Sequence, residues 1–360
     1  MDFRPTQEQR LLRDSVRRYC EQASAQSATD DAHDWHQFAD FGWLAMPVAE
    51  ADGGLGAELI DLAIVSEEIG AAPLRTPFVM GAVLPARVLA RCASGEARAA
   101  ALAALAAGTQ RFALAAHEPD CRDLLTPTAR AIRQPDGGYR LSGFKSLVAG
   151  GAQADGVLVT ARTDAESRPL LFIVDTTAGG VQRRCYETLD GSAVADFQFD
   201  SVEVPAPLSD ADHAISVLEM AIDEATICLC ADLIGGMDQA IRQTAAYLRI
   251  RKQFGRPLAE FQALQHAVAE MSIDANSARS LLYRAIAASV ADDDRHRARA
   301  VAACAIKTAQ IAKAITGNAV HLHGGIGMTS EYTVGRYLLR ALVNERLLCD
   351  REQQLARYLQ

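Results

Sequence analysis

Nowhere in this 360-residue chain does an uncharged apolar run reach the roughly eighteen residues that a membrane-spanning helix needs. The opening stretch "MDFRPTQEQRLLRD" is too polar for a secretory leader. The expectation is a cytoplasmic protein with no membrane partner. Basic charge is also short: 36 Lys and Arg stand against 45 Asp and Glu, for a net charge of −9. That argues against nucleic acid as the main partner, because phosphate neutralisation needs a basic surface. It leaves room for a small anion in a local basic pocket. The eight cysteines (20, 92, 121, 185, 228, 230, 304 and 349) have no paired spacing. Only Cys228 and Cys230 are close, and a C-x-C on a helix sends its thiols to different faces. Free thiols in a reducing compartment are expected. No internal repeat or low-complexity linker is visible.

What is there is a soluble globular composition, 49% hydrophobic and 22% charged. The length exceeds one ordinary core, so two or three subdomains are expected. From Thr6 to about Ala107 the pattern is helical. "TQEQRLLRDSVRRYCEQ" sets Leu11, Leu12, Val16 and Tyr19 along one stripe. "GWLAMPVAEADGGLGAELIDLAIVSEEIG" breaks at Pro47 and Gly53-Gly54, then resumes as an amphipathic helix. From Arg111 to about Asp210 short alternating or β-branched runs appear: "RFALAA", "GYRLSGF", "GVLVTAR", "PLLFIVD" and "VADFQFDSVEVP". Turn signals such as Pro135-Asp136-Gly137-Gly138 separate them, which predicts a compact antiparallel β unit. From about Ala214 long alanine-rich helices return, interrupted at Phe254–Pro257, Asp292–Asp294 and Gly324–Gly327.

Two stretches stand out. In "RKQFGRPLAEFQALQH" a helix ending in basic residues breaks at Phe254-Gly255-Arg256-Pro257 and restarts. One reading is an ordinary helical hairpin, with Gly at the stop and Pro in the next first turn. The other is that an arginine, a glutamine and an aromatic ring hold an anion beside a flat ring system. In "NAVHLHGGIGMTSEYTVGRYLLRA" the G-G-x-G is either a helix C-cap or a pyrophosphate seat of bare amides. His321 and His323, two apart on a helix, do not face one metal, and no carboxylate or cysteine completes a ligand set. No metal site is expected.

Taken in order, these features resemble the acyl-CoA dehydrogenase family along essentially the whole chain. "GWLAMPVAEADGGLG", "HEPD", "LSGFKSLV" and "FDSVEVP" fit the same template. The resemblance implies an α+β fold: an N-terminal helical domain (1–107), a middle antiparallel β-barrel domain (108–212) and a C-terminal four-helix bundle (213–360). It implies FAD between the β domain and the bundle, with its ADP half reaching a neighbouring subunit. Carried over by position, the R-x-x-F-G arginine is Arg251, followed by Gln253 and Phe254, and the aromatic-Gln pair is Phe261-Gln262. The Q-x-x-G-G-x-G stretch falls on His321 to Gly327, with Gly324 and Gly325 as the glycine pair; His321 stands in the glutamine position. The middle domain departs further. Ala116-His117 precede Glu118-Pro119 where a hydroxyl residue is usual, and Ser146-Leu147-Val148 replaces an aromatic-Ile-Thr run. Flavin contacts from this domain are therefore expected from backbone.

α,β-Dehydrogenation of an acyl-CoA thioester needs a carboxylate to remove the α-proton as the β-hydride leaves for the flavin. Of the two family positions for that base, one falls on Leu348, within Leu348-Cys349-Asp350, and the other on Ala225. The arginine that helps hold CoA falls on Thr226. Glu224 is one residue from the second position, about 100° around the helix, and is either a displaced base or an ordinary exposed charge. Glu345, Asp350 and Glu352, near the first position, read as solvated charges. The expectation is an FAD-dependent subunit of lipid metabolism that works with a base-bearing paralogue in an α2β2 heterotetramer on bulky, steroid-type acyl-CoA, with electron-transfer flavoprotein as acceptor. The alternatives are a self-sufficient homodimer or larger homomer using Glu224, and a flavin-free scaffold of the same fold.

Overall fold

The computed structural model describes residues 4–25, 31–72, 74–93, 95–119, 123–163, 168–291, 293–329, 332–347 and 351–359. Helices α1 (Gln7–Ala25), α2 (Asp31–Asp40), α3 (Leu59–Gly70), α4 (Leu84–Arg91) and α5 (Glu96–Ala106) come first. Strands β1 (Phe112–Ala115), β2 (Arg130–Arg133), β3 (Tyr139–Ala149), β4 (Gly156–Ala161), β5 (Leu170–Asp175), β6 (Val181–Glu187) and β7 (Ala193–Val204) follow. The chain continues through α6 (Ala211–Ile250), the short strands β8 (Lys252–Gln253) and β9 (Arg256–Pro257), and then α7 (Gln262–Ser289) and α8 (Asp294–His323). It ends with α9 (Val334–Leu347) and α10 (Arg351–Leu359). The helix–strand–helix order expected from the sequence is the order observed. Among the described residues no helix is long and apolar enough to cross a membrane. Cys20, Cys92, Cys228, Cys230 and Cys304 are buried outside any disulfide, and Cys185 is exposed.

Packing gathers these elements into two compact units that do not follow chain order. The expected domains (1–107, 108–212 and 213–360) divide the chain by texture; the units divide it by contact.

One unit joins α1 and α3 to the chain from Thr226 onward. Helix α1 starts at a capping box: Gln9 N–H donates to the Thr6 hydroxyl, and Thr6 N–H to the Gln9 side chain, each at 3.1 Å. Its buried stripe runs through Val16, Tyr19 and Cys20, while Leu11, placed on that stripe from the sequence, is 61% exposed. Opposite charges draw α1 and α3 into this unit. Arg13 bonds Glu67 at 3.1 Å and Glu68 at 2.7 Å, and Arg279 bonds Glu67 at 2.6 Å and Asp238 at 2.8 Å. One cluster thus ties α1, α3, α6 and α7. The crossing of α3 on α6 is backbone to backbone: a β-carbon on Gly70 would overlap the Asp232 carbonyl, and one on Gly235 the Glu67 carbonyl. Helix α3 is accordingly buried on most sides, Leu62, Ile64, Val65 and Ile69 included.

The other unit holds α2, α4, α5, the strands β1–β7 and the start of α6 as far as Ala225. Its sheets are β1-β4-β5 and β2-β3-β7-β6. Inward residues of both, among them Leu141, Phe172, Phe197 and Phe199, share one core. The antiparallel expectation holds along these ladders except at β1, which pairs parallel with β4. The intervening excursion through β2 and β3 supplies the crossover that a parallel pair needs. The strands form two sheets facing a shared core.

In that core lies a charged pair. Lys145 on β3 is fully buried and donates to Glu118 at 2.6 Å and to the Thr160 hydroxyl at 2.9 Å. Glu118 also accepts from the Thr128 hydroxyl, Thr128 N–H and Ala129 N–H. Burial pushes the Glu118 carboxyl up, but the Lys145 charge and these donors outweigh it and hold it below its ordinary value. Since the folded value lies below the unfolded one, about 4.3, this contribution is complete above the unfolded value and is lost as pH falls through the folded one. Lys145→Met, which strands the carboxylate, is expected to lose about 3–5 kcal/mol at pH 7. It should also flatten the acid limb of the stability profile, as read by urea unfolding between pH 7 and pH 3. A wild-type-like profile in the variant would contradict this role.

Candidate functional site

The break between α6 and α7 is a β-hairpin, which neither sequence reading anticipated. Phe254 (φ 55°) and Gly255 (φ 80°) both take left-handed backbone, and Gln253 pairs with Arg256 across them. This is the type I′ arrangement that suits a two-residue hairpin. Leu258 N–H returns to the Arg251 carbonyl at 2.8 Å and closes the loop. The hairpin is a presenting device. Arg251, Gln253 and Gln262 are exposed, and Phe254 is 89% exposed. The Arg256 guanidinium lies 4.1 Å from the Phe261 ring centroid, and Phe254 meets the same ring edge-on at 6.1 Å. This cation–π stack fixes Phe261; Arg256 was not among the expected site residues, and only its i, i+5 spacing to Phe261 hinted at it. Arg251 and Gln262 make no side-chain hydrogen bond among the described residues, so a cation and an amide stand ready for a ligand.

The glycine-rich turn closes α8 in the same unit. Gly324 has φ 64° and caps the helix through its N–H to the His321 carbonyl. A β-carbon on Gly324 or Gly325 would meet nothing within 4 Å, whereas Gly327 packs tightly on Val320 and His323. The backbone of the glycine pair is therefore open to an approaching group. His321, in the glutamine position, is exposed. His323 is buried, with Tyr247 stacked on it at 4.6 Å and Tyr332 at 5.0 Å. Its Nδ1 lies 2.7 Å from the Ala319 carbonyl, so Nδ1 carries the proton and donates. Burial lowers its pKa, against the raising effect of that bond, and keeps the ring neutral near pH 7. Neither histidine belongs to a metal-holding group among the described residues.

At the middle-domain stretch Ser146-Leu147-Val148 the backbone bulges, with Leu147 at φ 51°. Ser146 N–H already bonds the His117 carbonyl at 2.9 Å, and Leu147 N–H bonds Asp196 at 3.1 Å. These two donors are taken, which limits the backbone contacts that the sequence assigned to a flavin here.

Of the base positions, Leu348 lies outside the described residues, as do Cys349 and Asp350. Ala225 is wholly buried. Glu224 is neither an open base nor an exposed charge: its side chain is 15% exposed, bonded to Arg91 at 2.7 Å, with Arg87 Nε at 3.4 Å. Both arginines come from α4, which reaches its partner within the strand-bearing unit. The Arg91 bond takes one Glu224 oxygen, and the other, buried beside Arg87, makes no hydrogen bond. Beside it, Thr226 is 6% exposed and its hydroxyl has no partner.

This pairing generates a stability prediction. Glu224→Gln and Arg91→Ala are each expected to cost about 1–3 kcal/mol, with a coupling of about 0.5–3 kcal/mol in the double variant. Additive melting shifts would mean that the pair is not formed.

Comparison with known proteins agrees with this architecture. The acyl-CoA dehydrogenase N-terminal domain model matches residues 6–109, and the C-terminal domain model matches residues 215–354. The mitochondrial isovaleryl-CoA dehydrogenase of Solanum tuberosum is 30% identical over 326 residues, covering 88% of this chain and 78% of that protein. Among solved structures, the Tcur3481-Tcur3483 steroid ACAD G363A variant superposes with a TM-score of 0.87 at 27% identity, covering 98% of this chain and 96% of that one. The ChsE4-ChsE5 complex from Mycobacterium tuberculosis gives 0.85 at 25% identity, covering 99% and 97%. The chain belongs to the acyl-CoA dehydrogenase family of flavoprotein oxidoreductases.

Proposed function

We propose that this chain is an FAD-binding subunit that lacks its own base and works with a base-bearing paralogue to dehydrogenate bulky acyl-CoA thioesters. The observation that carries the reading is the state of the base positions. One is apolar Leu348, the other is buried Ala225, and the nearby Glu224 is held by Arg87 and Arg91. A homomer acting through Glu224 would have to expose an oxygen that is buried beside Arg87. Likeness to a steroid acyl-CoA dehydrogenase and to a two-chain complex supports the substrate class and the heteromer, with an α2β2 assembly as the form expected.

The residues exposed at the hairpin and the glycine turn fit a dinucleotide. Arg251 would bond the pyrophosphate, and Gln253 and Gln262 would supply amide contacts. Phe254 and Phe261 would offer ring faces, and His321 with the exposed backbone of Gly324 and Gly325 would line the remaining edge. When bound, FAD supplies an acceptor for the β-hydride. This chain's own part is to hold and orient it, while the α-proton goes to a carboxylate of the paralogue, and electron-transfer flavoprotein is the acceptor we favour.

Arg251→Ala is expected to weaken FAD binding by about 1.5–3 kcal/mol, measured by flavin fluorescence titration. Unchanged affinity would remove Arg251 from the site, and a stable colourless protein that takes up no flavin would favour a scaffold role. Purified alone, the chain is expected to turn over acyl-CoA at least about 10²–10⁴-fold more slowly than when co-expressed with the paralogue. Robust turnover by the lone chain, abolished in Glu224→Gln, would overturn the proposal.

A further inference from the structure

The helical unit contains a cavity of ≈ 200 Å³ that none of the roles above uses. Its floor comes from one face of α6, where Thr226, Leu229, Cys230 and Leu233 recur at i, i+3, i+4 and i+7. Helix α8 supplies Ala305, Ile306 and Ala309 as the opposite wall. An apolar cavity of about 150 Å³ holds a benzene-sized molecule, so this one has room for a body of about eight heavy atoms.

Two features give the occupant a polarity. First, the Thr226 hydroxyl is buried against the cavity without any hydrogen-bond partner, a group that costs free energy until something bonds it. Second, among the described residues the rim carries Lys313 and Arg351, both exposed, against one carboxylate, Glu345. None of these three has an ion pair among the described residues. The described rim thus carries two cations and one anion over an apolar floor.

We infer that this cavity is a binding site for a small amphiphilic carboxylate, such as a free acid of about six carbons. The chain would lie on Leu229, Leu233 and Ile306, a ligand oxygen would accept the Thr226 hydroxyl proton, and Lys313 and Arg351 would balance the charge. The inference does not depend on the flavin or the heteromer.

The test is isothermal titration of the full-length protein with hexanoate, 1-hexanol and hexylamine. Saturable one-to-one binding of hexanoate is expected, at least ten-fold tighter than hexanol, with no binding of hexylamine. Ala309→Phe, which fills the cavity, should abolish binding, and the near-isosteric Thr226→Val should weaken it several-fold. Should a core variant fail to fold, the surface pair Lys313→Glu with Arg351→Glu leaves the floor intact and should remove the preference for hexanoate over hexanol. Absence of saturable binding, or binding that the surface pair leaves unchanged, overturns the assignment.

Discussion

Helices α3 and α6 cross with no space for a β-carbon between them. At Gly70 and at Gly235 each backbone lies against a carbonyl of the other helix, at Asp232 and Glu67. Such an approach fixes not only the distance but the rotation of both helices about their axes, because only the glycine faces can meet. Once that is set, Glu67 and Asp238 come together for Arg279, with Arg13 joining from α1. Asp232 turns toward α9, where Arg340 and Asn344 bond it, and Arg340 also reaches the Leu74 carbonyl at 2.7 Å. The charged clusters are consequences of a steric fit. They reward the correct rotation, and a helix turned by one residue would leave buried charges without partners.

The strand-bearing unit meets the same requirement by other means. Lys145 enters a core of leucine, valine and phenylalanine because its ammonium and the Glu118 carboxylate are met by one another, two threonine hydroxyls and backbone amides. The pair stitches the segment after β1 to β3, while Thr160 brings in β4. Because α6 is one continuous helix, the rotation fixed at Gly235 also governs which way Thr226 faces, about two and a half turns upstream. In this family member the carboxylate faces α4 and its arginines, and the neighbouring threonine faces a cavity.

Much of this was legible in the residues. The order of helical and strand segments followed from hydrophobic period and turn residues, and most strand runs quoted from the sequence became strands at nearly those limits. β2 and β6 were missed because "RAIR" and "VQRRCYE" are largely exposed and charged, so they carry little alternation to read. The stripe on α1 was misplaced toward Leu11, since a leucine at the edge of an apolar face scores like one at its centre while only packing against α3 decides which is covered. The hairpin at Phe254-Gly255 reads as a helix break in the sequence because the strands flanking it are two residues each, too short for any period to show.

By itself the sequence determined the family, the element order and the places where a cofactor's anion and a catalytic carboxylate had to be sought, because those depend on local residue type and spacing. It also determined that Leu348 and Ala225 can take no proton, which is a matter of side-chain chemistry alone. Tertiary structure alone decided the fate of Glu224, since Arg87 and Arg91 stand more than a hundred positions away in the chain and no local pattern links them to it. It likewise decided that the Thr226 hydroxyl would be buried unpaired beside a cavity. A void is a property of how α6, α8, α9 and α10 pack together, and it has no signature in any one of them.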